Sequence, residues 1–97
     1  MKISIVCGSQ RNGQSQNVMN YLKQRCLEAG IEEINCIDLF NRNMKTWDES
    51  VWKLGRNWDV NWNQTSDELK ASEGCIFISP EYGGMVPPIL KNFFLMI

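Results

Sequence analysis

The chain has 97 residues, enough for one domain at most. Apolar residues make up 43% and charged residues 22% of the chain, a globular rather than a disordered composition. The net charge of −1 disfavours nucleic-acid binding, which needs a basic surface. No apolar run reaches the roughly 20 residues of a membrane span, so we expect no membrane partner.

The chain contains no histidine. This removes the commonest general base and the commonest metal ligand, so any chemistry depends on carboxylates, hydroxyls, thiols or a bound cofactor. The four cysteines form no Cys-x-x-Cys pair, and neither a zinc site nor a dithiol motif is indicated. We expect them to be reduced core residues of a cytoplasmic protein: Cys7, Cys26, Cys36 and Cys75.

Strand and helix patterns alternate along the first part of the chain. Lys2–Cys7 is a short run rich in β-branched residues and predicts a strand. Apolar residues at helical spacing predict a helix that begins at Ser15 and ends before Gly30, which suits a left-handed position. Glu33–Leu39 predicts a second strand, and its lower apolar content places it nearer a sheet edge.

The second part of the chain begins with a segment that holds all four tryptophans. We predict that Asn41–Gln64 is a long ordered loop with one helical turn around Glu49–Leu54. This segment is expected to cover the sheet's carboxyl edge, join a subunit interface or pack on its own domain. Thr65 and Glu68 match a capping box and predict the start of a short helix. Cys75–Ser79 is apolar throughout, as in a strand covered on both faces, and the Pro87-Pro88 pair begins a last helix.

This element order predicts an α/β fold with a parallel sheet and right-handed crossovers. Three strands are fewer than a complete doubly wound sheet usually has. The last helix is apolar on nearly every side, which is typical of a helix covered on more than one face.

Two polar loops follow the first and third strands, where ligands bind in open α/β sheets. The first, residues 8–17, precedes a helix N-terminus that favours a phosphate, and Arg11 adds a positive charge. It matches neither the Walker loop nor the dinucleotide fingerprint, so a plain strand-to-helix turn is the alternative. The second, residues 79–92, has paired glycines that allow close approach of a flat ligand, with a surface turn as the alternative.

Two motifs in these loops resemble the NADPH-dependent FMN reductase family, the flavodoxin-like quinone, azo and chromate reductases. They are Gly-Ser-x-Arg after the first strand and Pro-Glu-Tyr-Gly-Gly-x-x-Pro-x-x-Leu-Lys-Asn after the third. The resemblance covers nearly the whole chain and implies a three-layer flavodoxin-like fold with strand order 2-1-3. Because such domains have roughly 170–200 residues, residues 1–97 are expected to be the amino-terminal half of one FMN-binding domain, truncated before strands four and five.

The resemblance implies an oxidoreductase that passes electrons from NADPH or NADH through FMN to a small acceptor such as a quinone, an azo compound or free flavin. By the same resemblance, the first loop would hold the FMN phosphate through Ser9, Arg11, Ser15, Gln16 and Asn17. The second loop would line the isoalloxazine ring, largely through backbone groups, with Pro80, Glu81, Tyr82, Gly83 and Gly84. No catalytic side chain and no metal ligand are implied, and Lys91 and Asn92 would position the last helix.

Two other functions remain open. A flavodoxin-type electron carrier is disfavoured by Arg11 and by the weak net charge, since flavodoxins usually bind phosphate without arginine and are strongly acidic. A truncated, non-catalytic half-domain would pair with a second copy or a complementary chain. The open edge of the third strand and the apolar stretch Phe93–Ile97 suggest such a homo-oligomer or complex.

Overall fold

Three parallel strands form the centre of the computed structural model, which describes residues 1–97. β1 (Lys2–Cys7) lies between β2 (Glu33–Asp38) and β3 (Gly74–Ile78), so the sheet order is β2-β1-β3. This confirms the predicted flavodoxin-like α/β fold and the central position of the first strand.

Four helices surround the sheet: α1 (Gln14–Glu28), α2 (Val51–Leu54), α3 (Val60–Lys70) and α4 (Pro88–Met96). α1 covers one face, where Ile5 of β1 is buried with Met19. α3 and α4 cover the other face, where Val6 is buried with Trp62 and Phe93. Adjacent residues of β1 therefore belong to different cores, because successive side chains of a strand point to opposite faces of the sheet. None of the helices is both long and apolar enough to span a membrane.

The tryptophan-rich segment contains the helical turn predicted around Glu49–Leu54, but it is more helical than the long loop predicted for the rest of it. It contains α2, a 3-10 turn at Gly55–Asn57 and the first half of α3. The carboxylate of Asp59 accepts the backbone N–H of Asn61 at 3.0 Å and so caps α3. The predicted helix start at Thr65 is therefore wrong, because the earlier cap places Thr65 within the helix, fully buried.

The four tryptophans occupy different environments. Trp58 and Trp62 are buried against the chain's own domain, at 5% and 9% exposure. Trp47 contacts Trp52 edge-on, with ring centroids 5.5 Å apart, while Trp52 itself is 76% exposed. The segment thus packs mainly on its own domain and leaves one indole at the surface.

β3 is not covered on both faces as its sequence predicts. Ile76 and Ile78 pack towards α1, but Cys75 and Phe77 are exposed beside an apolar groove of about 450 Å³ between α3 and α4. The cysteines are free thiols, as predicted, but only Cys7 is fully buried in the core. Cys26 and Cys36 are half-buried and Cys75 is exposed. Because β3 pairs only with β1, its other edge presents unpaired backbone groups.

A partly buried ion pair joins β2 and its following loop to α3. The guanidinium of Arg42 donates to the Glu68 carboxylate at 2.6 Å, to the Thr65 hydroxyl at 3.0 Å and to the Cys36 carbonyl at 3.3 Å. Asn35 also donates to Glu68, at 3.3 Å. Burial raises the pKa of Glu68, but the hydrogen bonds from Arg42 and Asn35 and the charge of Arg42 outweigh it, so this pKa lies below its usual value.

We expect Glu68→Gln to lower the free energy of unfolding at neutral pH by about 1–3 kcal/mol, since Arg42 loses its charged partner. Because the folded-state pKa of Glu68 is depressed, its stabilisation is complete above the usual carboxyl value of 4.5 and is lost as the pH falls through the folded pKa. Thermal unfolding of the unmodified protein and of Glu68→Gln from neutral to acidic pH measures this effect. The difference between their Tm values should shrink as the pH falls.

Asp67→Asn is the matched control for this prediction. Asp67 lies on α3 beside Glu68 and forms an exposed ion pair with Arg56 of the preceding 3-10 turn, and loss of this pair should change stability little. Equal stability of Glu68→Gln and the unmodified protein at neutral pH would contradict the assigned role of the Arg42–Glu68 pair.

Candidate functional site

The loops that follow β1 and β3 meet at the carboxyl edge of the sheet and enclose a cavity of about 210 Å³. The cavity is lined by predicted site residues from both loops: Ser9, Arg11, Ser15, Pro80, Glu81 and Tyr82. The other predicted site residues lie outside this lining: Gln16, Asn17, Gly83 and Gly84. The fold therefore brings the two sequence motifs together in one place, although they lie about 70 residues apart in the chain.

The N-terminus of α1 lies at one end of this cavity with its donors free. The backbone N–H groups of Gln14, Ser15 and Gln16 have no acceptor within the chain, as expected of a first helical turn. The Ser15 hydroxyl also has no partner, and the exposed Arg11 guanidinium makes no ion pair. These donors, the cation and the helix dipole form a site suited to a phosphate dianion.

Two predicted phosphate ligands instead stabilise the first loop. Ser9 is 4% exposed, and its hydroxyl donates to the Arg11 carbonyl at 2.6 Å and accepts the Arg11 N–H at 3.2 Å. Gln16 accepts the N–H of Gly13 at 2.7 Å and donates to the Arg11 carbonyl at 2.9 Å. Asn17 is exposed on α1. The loop is thus shaped by its own side chains, which leaves Arg11 available for a ligand.

The second loop forms a tight hairpin at the other end of the cavity. Tyr82 and Met85 exchange backbone hydrogen bonds of 2.9 and 3.1 Å. Between them, Gly83 and Gly84 have φ angles of 58° and 79°, the left-handed conformation that a type I′ turn needs. The Glu81 carboxylate accepts the Gly84 N–H and closes the turn. The glycine pair is therefore required by the turn itself.

Helix α4 packs directly on the end of β1. A Cβ atom added to Gly8 would lie 2.7 Å from Cδ2 of Leu90, which is fully buried. The Gly8 N–H donates to the Ile78 carbonyl at 2.9 Å and continues the pairing of β1 with β3. Only glycine allows helix and strand to approach so closely, and this contact holds the hairpin side of the site against the first loop.

Several residues that shape the site were not predicted from the sequence. Gln10 accepts the N–H of Ile89 at 2.5 Å, across 79 positions in the chain. Asn41 donates to Asn12 at 3.0 Å and to Asp38 at 2.6 Å, and so links the first loop to the end of β2. No local pattern could reveal these partners, because folding alone brings them together.

Cys7 lies at the base of the first loop. Burial raises the pKa of its thiol, the charge of Asp38 raises it further, and a backbone hydrogen bond from Ser9 only partly offsets both. The thiol is therefore neutral at physiological pH, and Cys7 is a core residue rather than a nucleophile.

The chain was compared with known protein families, with curated protein sequences and with solved structures. The sequence profile of the NADPH-dependent FMN reductase family matches residues 1–97. The chain belongs to this family. No curated protein sequence matches the chain significantly.

A solved structure with a similar fold is that of FerB, a flavoenzyme NAD(P)H:(acceptor) oxidoreductase from Paracoccus denitrificans. The two structures superpose with a TM-score of 0.68 at 16% sequence identity. The match covers 98% of this chain and 49% of FerB, so the chain spans about half the length of that flavoenzyme. The structural match with FerB thus supports the fold described here.

We expect Gly8→Ala to lower the free energy of unfolding by about 1–3 kcal/mol, because the added methyl group overlaps Leu90. Leu90→Ala alone should cost about 2–5 kcal/mol through the cavity it leaves. The double variant should lose less than the two single losses combined, by about 0.5 kcal/mol or more, since the shorter side chain makes room for the methyl group. Urea unfolding of the unmodified protein, the two single variants and the double variant measures these free energies. If the double variant lost the sum of the two single losses, the Gly8–Leu90 contact would be unimportant.

Proposed function

We propose that the chain provides the FMN site of an NAD(P)H-dependent oxidoreductase. The observation that carries this proposal is the meeting, in one cavity, of a free helix N-terminus, an unpaired arginine and an aromatic hairpin. A phosphate suits the first two features and a flat ring suits the third. FMN carries both groups on one molecule.

At the phosphate end, Arg11 supplies the charge, and the Ser15 hydroxyl and the first N–H groups of α1 supply hydrogen bonds. Ser9 and Gln16 contribute by holding the loop in the shape that presents these donors. Asn17 adds an exposed amide one turn into the helix. The first loop, residues 8–17, contains no acidic side chain that would repel a bound phosphate.

At the ring end, the hairpin offers Tyr82 as an aromatic contact, with Pro80 beside it. The backbone N–H groups of Glu81 and Gly83 have no acceptor within the chain and are free to donate to the polar edge of the ring. Gly84 contributes through the turn it makes with Gly83. These side chains and backbone groups bind and orient the ring, and no histidine base is needed.

When bound, FMN supplies the hydride and electron transfer, so the protein's part is to hold it and to leave one side accessible. Tyr82 and Met85 are 38% and 66% exposed, which leaves the hairpin open to planar molecules. We propose NADPH or NADH as the electron donor and a quinone, an azo compound or free flavin as the acceptor.

A second candidate function is association through the open edge of β3. β3 borders the apolar groove, and its Phe77 contacts the exposed ring of Phe94. We propose that residues 1–97 form the amino-terminal part of one flavodoxin-like FMN-binding domain. The edge of β3 would then receive a further strand, from additional sequence, a complementary chain or a second copy.

Titration with FMN tests the proposed cofactor site. We expect saturable quenching of flavin fluorescence, and an FMN affinity weakened about 10- to 100-fold by Arg11→Ala, since a charge-assisted contact is worth roughly 1.5–3 kcal/mol. Riboflavin lacks the phosphate and should bind both proteins equally. Lys23→Ala removes an exposed positive charge from α1, away from the cavity, and should leave both affinities unchanged. Failure of the unmodified protein to bind FMN would refute the proposal.

Sedimentation velocity tests the association proposed for β3. Purified chain should contain species larger than the 11.2 kDa protomer, and Phe77→Glu should shift them towards the protomer by placing a charge at the groove. Val60→Lys changes a side chain that is 76% exposed elsewhere and should leave the distribution unchanged. A compact protomer as the sole species of the unmodified chain would contradict association.

A further inference from the structure

The amide oxygen of Gln10 lies 2.5 Å from the backbone nitrogen of Ile89 and accepts its hydrogen bond. Gln10 belongs to the loop after β1, and Ile89 is the second residue of α4. The bond joins two residues that are 79 positions apart, and the neighbours of Gln10 in the first loop, Ser9 and Arg11, line the candidate FMN site.

Ile89 is the one residue of the first turn of α4 that needs an outside acceptor. Pro88 has no N–H, and Leu90 and Lys91 both donate to the carbonyl of Pro87 at 3.0 Å. The side chain of Gln10 therefore completes the hydrogen bonding of this helix end, a task usually performed by the residue just before a helix. Pro87, which occupies that position, has no polar side chain.

Gln10 does not line the cavity between the two loops. Its side chain lines a separate cavity of about 250 Å³, together with Thr46 and Asn92. Gln10 thus faces away from the proposed phosphate site although its neighbours Ser9 and Arg11 line that site. Any effect of its side chain on FMN must act through α4.

α4 is directly continuous with the hairpin that would hold the ring, through Val86 and Pro87. Gly8 contacts Leu90 and Gln10 contacts Ile89, so alternate residues of the first loop hold consecutive residues of α4. The position of the hairpin relative to the phosphate donors is therefore set where this loop meets α4.

We propose that Gln10 is a positioning residue that fixes the distance between the phosphate end and the ring end of the FMN site by capping α4. This inference rests on the proposed function. FMN must reach both ends at once, whereas riboflavin engages the ring end alone. Loss of the cap should therefore weaken FMN binding selectively and alter the environment of the ring.

Two substitutions separate the hydrogen bond from the bulk of the side chain. Gln10→Met keeps the length but removes the acceptor, and Gln10→Glu keeps an acceptor that also suits a helix N-terminus. Gln24→Met is the matched control, because Gln24 is exposed on α1 and bonds only to Glu28.

The cap itself is tested without any cofactor by amide hydrogen exchange measured by NMR. Exchange of the Ile89 N–H should be about tenfold faster or more in Gln10→Met, and near the unmodified rate in Gln10→Glu and Gln24→Met. An unchanged Ile89 rate in Gln10→Met would overturn the proposal.

The effect on the site is tested by titration with FMN and riboflavin and by visible circular dichroism at saturating FMN. Gln10→Met should bind FMN about tenfold more weakly, bind riboflavin unchanged and show an altered dichroism spectrum. Arg11→Ala should also lose FMN affinity but keep the unmodified spectrum at saturation. Gln10→Glu should keep the spectrum even where its charge weakens affinity.

Equal losses of FMN and riboflavin affinity in Gln10→Met, or an unmodified FMN affinity and spectrum, would overturn the positioning role. If the unmodified chain binds no FMN, the proposed function fails and the positioning role for FMN fails with it. The exchange rate of Ile89 then still decides whether Gln10 caps α4, so the two failures are distinguishable.

Discussion

The contact between Gly8 and Leu90 is the constraint on which the arrangement of the site depends. With no side chain at Gly8, α4 lies directly against the carboxyl end of the central strand. Because the hairpin leads straight into α4, this approach determines how far the hairpin stands from the first loop. A larger residue at Gly8 would push α4 away from β1 and so separate the two halves of the cavity, although Gly8 itself has no side chain that could bind a ligand.

Near this contact, some side chains stabilise the first loop and others are free to bind a ligand. Ser9 and Gln16 direct their polar side-chain groups at the loop backbone, whereas the side chains of Arg11 and Ser15 have no partner in the chain. Donors held in place before a ligand arrives bind it at a lower entropic cost than donors that must first be ordered. The loop thus suits a phosphate because its internal hydrogen bonds are satisfied by residues other than those that would bind.

The sequence predicted the strands and the two loops well, because short apolar runs and local turn residues carry that information. The strand order was implied only by the resemblance of the two loop motifs to the FMN reductase family. Prediction from the sequence failed where two segments could each cap the same helix. The sequence favoured Thr65 as the cap, but in the structure Asp59 caps α3. The sequence could not reveal Gln10, whose partner Ile89 lies 79 positions away. The exposure of Cys75 was also missed, since an apolar run alone does not say which elements cover a strand.

A crystal structure of the chain with FMN tests the central claim most directly. We predict that the phosphate lies within hydrogen-bond distance of Arg11, Ser15 and the first N–H groups of α1. The ring should lie against the hairpin from Tyr82 to Met85. FMN bound in the apolar groove beside Phe77, or a phosphate remote from Arg11, would contradict the assignment of the two loops as one cofactor site.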